Sequence, residues 1–139
     1  MIFPYLDASA IIYLVEGGVA AREAVARRIA DAERAPAGRL LTSQLSRLEC
    51  RVKPRRLGDD ALVATYDAFF TRTRIEVVEI SVAVIDRATE LRARHGFKTP
   101  DALHLASAIV SGADGFVTGD AALVRCGDIR VAVVSPTAL

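Results

Sequence analysis

Apolar residues recur along this chain with two different periods, and each change of period marks the boundary between a strand and a helix. Residues 2–6 form a short apolar run that stops at Asp7. Residues 8–15 resume with helical spacing until Gly17-Gly18, which predicts a strand, a tight turn and a first helix. Residues 19–33 set Val25, Ile29 and Ala32 among arginines and glutamates, the pattern of an amphipathic helix, and Pro36 and Gly38 then open a loop. Residues 39–42 read as a second strand. Ser43 is placed to cap a helix through Leu45, Leu48 and Val52 that Pro54 closes, and residues 59–72 predict a further helix with an aspartate as its cap. Residues 75–80 alternate as a strand should, and residues 81–95 return to helical spacing before Gly96. Thr99-Pro100 supplies a cap and a first-turn proline for a helix over residues 101–111. Two β-branched runs, 115–118 and 130–134, flank a brief helical segment at 121–125.

Strands that alternate with helices imply right-handed crossovers, and so a three-layer α/β/α fold with a mainly parallel central sheet. The 139 residues, 52% of them hydrophobic, suit one compact domain that buries about two thirds of its unfolded surface. Pro4 and Asp7 interrupt the apolar N-terminus, which has neither a basic leader nor a small-residue cleavage site, so a buried strand is expected there rather than a signal peptide. No stretch approaches the roughly 18 uninterrupted apolar residues of a membrane span, and a soluble, cytoplasmic protein is expected. Lys and Arg number 18 against 17 Asp and Glu, so any steering of a charged ligand must come from local patches. Cys50 and Cys126 lack C-x-x-C spacing and read as ordinary thiols, not a disulfide framework or a thiolate zinc site.

In open parallel sheets the functional crevice lies beyond the carboxyl ends of the strands, and here the residues at those ends are acidic. Asp7 directly follows the first strand and Asp120 follows the strand ending at Thr118, so both project over one sheet edge if the two strands are neighbours. Asp101 sits in the first turn of its helix and Glu49 sits mid-helix beside Leu48 and Cys50, from where both can reach the crevice. Ordinary roles are open to some of them: Asp101 complements a helix N-terminus, and Asp120 caps the segment after it. Asp7 is harder to assign to structure alone, because a carboxylate between Leu6 and Ala8 is costly unless hydrogen-bonded or ligating a cation. Several carboxylates without an accompanying His or Cys pair suit a hard divalent ion, Mg²⁺ or Mn²⁺, rather than zinc. Because clustered carboxylates repel a phosphodiester, a cation is needed to neutralise the site and activate water, and phosphodiester hydrolysis is the natural chemistry.

The order of these residues carries a family resemblance. Asp7-Ala8-Ser9, then Glu49 in the segment SRLEC, then Asp101 and His104 in TPDALHLA, then Thr118 and Asp120 in VTGD together resemble the PIN-domain family, and within it the VapC-type toxin ribonucleases of toxin–antitoxin systems. The match spans nearly the full chain, and TPDALHLA followed by VTGD is its most specific part. The resemblance implies a PIN-like fold in which Asp7, Glu49, Asp101 and Asp120 carry Mg²⁺ or Mn²⁺ and water attacks an RNA phosphodiester. It also implies that Ser9 and Thr118 orient the acidic ligands, that a VapB-type antitoxin restrains the enzyme, and that a homodimer is a common assembly. Gly119 stands where many relatives have Asn.

Other residues bear on the choice between readings. Arg47, Arg51, Lys53, Arg55 and Arg56 form the densest basic stretch, flanking Glu49, and are candidates for gripping RNA phosphates or an acidic partner; a solvated helix end is the ordinary alternative. His104 shares a helix face with Asp101 but lies between Leu103 and Leu105, and is read as a structural histidine. A Ser9–His104–Asp hydrolase is disfavoured by the absence of nucleophile-elbow glycines around Ser9. A haloacid dehalogenase-like phosphatase needs a second Asp where Ser9 stands, and a receiver domain wants an acidic pair beside its first strand. A PIN-like module that binds without cleaving is the remaining alternative. Tyr66, Phe69 and Phe70 read as core rather than a base-stacking platform. Residues 11–15 and 25–29 are candidates for a dimer or antitoxin face, with core packing as the ordinary role.

Overall fold

The structure, a computed structural model, describes residues 1–134. Its centre is a five-stranded sheet in the order β3-β2-β1-β4-β5, and every pairing is parallel. The strands are β1 (Pro4–Leu6), β2 (Leu40–Ser43), β3 (Ile75–Val78), β4 (Gly115–Thr118) and β5 (Val131–Val133). Helices α1 (Ala8–Glu16) and α2 (Val19–Arg34) follow β1; α3 (Gln44–Arg56) and α4 (Asp60–Phe70) follow β2; α5 (Val82–His95) and α6 (Thr99–Val110) follow β3. Among the described residues, no helix is long and apolar enough to cross a membrane.

The period of two along each strand sorts side chains into two cores. Leu6, Leu40 and Val117 face one side of the sheet and pack with Ile11, Val25 and Ile29 of α1 and α2 and with Tyr66, Phe69 and Phe70 of α4. Tyr5, Leu41 and Phe116 face the other side and meet Val84 and Leu91 of α5 and Leu105 of α6. The three-layer expectation holds, and the aromatic trio is core. Ile11, Val25 and Ile29 are buried in that first core, so these residues of the two candidate docking segments serve packing instead.

Three local expectations fail for identifiable reasons. Pro54 does not close α3, which runs on to Arg56: the proline is buried, and packing outweighs the loss of one intrahelical hydrogen bond. The Ser43 side chain does not cap α3, because its hydroxyl meets the buried Tyr5 hydroxyl at 2.8 Å instead. The start of α6 is capped at Lys98 rather than Thr99, with Pro100 inside the first turn. Elsewhere Gly96 adopts φ +69°, the left-handed geometry that ends a helix, and the segment Ala121–Arg125 is a 3-10 turn.

This strand order decides where chemistry can occur. The chain builds outward from β1 through β2 to β3, then returns to the other side of β1 with β4 and β5. The order therefore reverses between β1 and β4, and the crevice beyond their carboxyl ends is the switch point of the sheet.

Candidate active site

Asp7 leaves β1 directly into that crevice and caps α1. Its Oδ1 accepts hydrogen bonds from the Ser9 hydroxyl at 2.6 Å and the Ala10 N–H at 3.0 Å, and its Oδ2 accepts one from the Thr118 hydroxyl at 2.5 Å. Only 6% of the residue is exposed. A carboxylate has about four lone-pair sites, so three donors leave it one direction open, on the Oδ2 side. The hydroxyls that hold Asp7 are themselves held: Ser9 Oγ accepts from the Gly119 N–H at 2.8 Å, and Thr118 Oγ1 accepts from the Asp120 N–H at 3.0 Å. The ends of β1 and β4 are thereby stitched together, with the Ser9 and Thr118 hydroxyls both donating to Asp7. Gly119 has a steric reason for its identity, since a Cβ there would lie 2.7 Å from the Tyr13 ring.

Asp120 follows β4 and is exposed, with Oδ1 accepting from the Ala122 N–H at 2.9 Å. Asp101 comes from the first turn of α6. Its carboxyl pKa is raised above 3.8, first by burial, then by the charges of Asp120 and Asp7, with His104 and Lys98 opposing. Asp101 therefore lies within the field of both Asp120 and Asp7. Glu49 approaches from α3, and its Oε1 lies 2.5 Å from Nε2 of His104 on α6. Among the described residues, no three His, Cys, Asp or Glu side chains converge tightly enough to enclose an ion as they stand.

His104 is 4% exposed, as expected of a structural histidine, and it also contacts the carboxylate of Glu49 across from α6 to α3. Its other nitrogen, Nδ1, lies 2.8 Å from the Tyr5 hydroxyl, so neither nitrogen serves Ser9 and the geometry contains no serine triad. Sequence reasoning missed Tyr5 and Ser43 behind His104, and Lys98 beside Asp101. The only signal for Tyr5 was its position two residues before Asp7, on the same strand.

The basic stretch divides. Arg47, Arg51, Arg55 and Arg56 share one open face of α3 with Gln44 and the exposed Leu48 and Val52. Neither Glu49 nor Lys53 belongs to that face. Arg51 also reaches Asp67 on α4 at 3.4 Å. Cys50 and Cys126 are buried free thiols, and burial pushes the Cys50 thiol up to about 12, which makes it a poor nucleophile.

The PIN domain family model matches residues 5–128 of this chain. A search of the curated proteins finds no match. VapBC2 from Rickettsia felis, bound to promoter DNA, shares the fold with a TM-score of 0.74 at 14% identity, covering 94% of this chain and 98% of that one. A toxin–antitoxin complex from Klebsiella pneumoniae gives 0.72 at 19% identity over 98% and 99% of the respective chains. VapC20 from Mycobacterium tuberculosis, a sarcin-ricin loop cleaving toxin, gives 0.69 at 23% identity over 89% and 95%.

Proposed function

The chain belongs to the PIN domain family, and we propose that it is a metal-dependent endoribonuclease, the toxin of a toxin–antitoxin pair. One observation carries this reading: Asp7 and Asp120 leave the neighbouring strands β1 and β4 at the switch point, and the carboxyl pKa of Asp101, from the first turn of α6, is raised by burial first and then by the charges of Asp120 and Asp7. Such an accumulation of negative charge is what a bound cation relieves. The donors are carboxylate oxygens, which fit Mg²⁺ or Mn²⁺, and Asp7, Glu49, Asp101 and Asp120 are the residues proposed to hold it. When bound, the ion would supply Lewis acidity toward a phosphoryl oxygen and a more acidic water. The chain's own part is to place Asp7 rigidly through Ser9 and Thr118 and to bring Asp101 and Glu49 over it from α6 and α3.

The presence of all four acids favours an enzyme over a binding module, and Ser9 in place of a second Asp disfavours the phosphatase. Solved structures of the same fold include toxin–antitoxin complexes, and a VapB-type antitoxin is proposed as the partner. Its docking face is proposed to be this open face of α3, because Leu48 and Val52 are 56% and 43% exposed there, arginines flank them and none of the four acids lies in it. An acidic segment with apolar anchors matches such a surface better than RNA does.

The test is cleavage of RNA by the purified chain with Mn²⁺, with and without a chelator, beside Asp7→Asn and Asp101→Asn. Metal-dependent cleavage that both substitutions abolish is expected; cleavage that survives both would show the site to be elsewhere. Arg51→Glu combined with Arg55→Glu is expected to leave that cleavage within a few-fold, and a collapse of activity would assign this face of α3 to RNA.

A further inference from the structure

Glu49 is the acid with the least obvious support. It projects from the middle of a helix, its side chain is 33% exposed, and among the described residues its one hydrogen-bond partner is His104. A long side chain of this kind gives up much rotamer freedom when fixed, so something must fix it. That something is anchored in the sheet. The Tyr5 hydroxyl lies 2.8 Å from Nδ1 of His104 and 2.8 Å from Ser43 Oγ, while the Tyr5 ring stacks on Phe116 of β4 with centroids 5.3 Å apart. Tyr5 and Ser43 are wholly buried, on the central strand and on its neighbour. An ionised carboxylate can only accept, so Nε2 of His104 carries the proton directed at Glu49.

We infer that His104 is a positioning residue: clamped by Tyr5, it holds Oε1 of Glu49 and so fixes the one carboxylate that α3 supplies to the proposed cation site. The inference rests on the reading of the acidic cluster as a divalent-cation site. Ligating carboxylates are commonly held by such outer partners, whose loss weakens metal binding about 10- to 100-fold.

The experiment is Mn²⁺ binding to the full chain without RNA, measured by calorimetry. His104→Leu removes both contacts, His104→Asn keeps a polar group only on the Tyr5 side, and His104→Gln restores an N–H near the Nε2 position. Binding about 10- to 100-fold weaker is expected for the Leu and Asn variants, with most of the affinity recovered by Gln. In a Glu49→Gln background, His104→Leu should add nothing further. Tyr5→Phe, which keeps the ring, is expected to weaken Mn²⁺ by a few-fold and serves if His104→Leu fails to fold. Unchanged affinity in His104→Asn, or a His104→Leu effect undiminished beside Glu49→Gln, overturns the inference and leaves the cation site standing. Absence of Mn²⁺ binding in the unsubstituted chain overturns both.

Discussion

The two halves of the acidic cluster are held in opposite ways. At the strand ends, Asp7 is buried and takes hydrogen bonds from two hydroxyls and a backbone N–H, and those hydroxyls in turn accept from the backbone of the next strand's exit. On the helical side, Glu49 has one recorded partner and Asp101 is half-buried against like charge. Asp7 is thus held largely by the protein itself, whereas Asp101 carries repulsion from Asp120 and Asp7 that folding has not relieved. In the proposed cation site, Asp7 would supply the rigidity and Asp101 the charge that an arriving ion relieves.

The sharpest way to test that division is Asp7→Asn. An amide at this position keeps an acceptor for the Ala10 N–H but loses the charge, so RNA cleavage is expected to fall by at least about 10²-fold, the loss typical of removing one preorganised charge-stabilising group. The melting temperature, followed by circular dichroism, should move much less than the activity.

Thr118→Val comes next in size and probes the strand half as structure. Valine is close in shape but removes the hydroxyl that donates to Asp7 and accepts from the Asp120 N–H, so about 2 kcal/mol of stability should be lost in denaturant unfolding. A variant as stable as the parent would mean that the stitching of β1 to β4 is dispensable.

The smallest effect has the opposite sign. Because the carboxyl pKa of Asp101 is raised in the folded chain, the folded state binds the proton more readily than the unfolded state does. Without divalent metal, stability contributed by this group is gained as pH falls through the raised pKa toward 3.8, and is absent at neutral pH. Asp101→Asn should therefore raise neutral-pH stability slightly, by about 0.5 kcal/mol or less once solvent screening is counted, and flatten the acid limb of melting temperature against pH. A lower melting temperature for Asp101→Asn would contradict the picture of an unrelieved helical half.

Much of the fold was legible because its cues are local. The strand at 2–6 and the helix after it announce themselves by period and by Asp7, and Gly96 marks a helix end that the backbone confirms with a positive φ. The acids at strand ends were legible for the same reason: a charge that ends an apolar run is visible without coordinates. Pro54 was misread because propensity describes an isolated helix, whereas its burial brings packing that a local rule omits. The partners of His104 were not legible because they lie 55 and 99 positions away.

By itself the sequence determined the alternation of strands and helices, and it offered Asp7, Glu49, Asp101 and Asp120 as candidate acids with the hydroxyls of Ser9 and Thr118 beside two of them. Only the tertiary structure decided that β1 and β4 are neighbours, and hence that Asp7 and Asp120 share a crevice. The physical reason is range. Periodicity and capping act over a few residues, while the meeting of Asp7 with Thr118, or of Glu49 with His104 and Tyr5, is fixed by strand order and by which core each strand face enters.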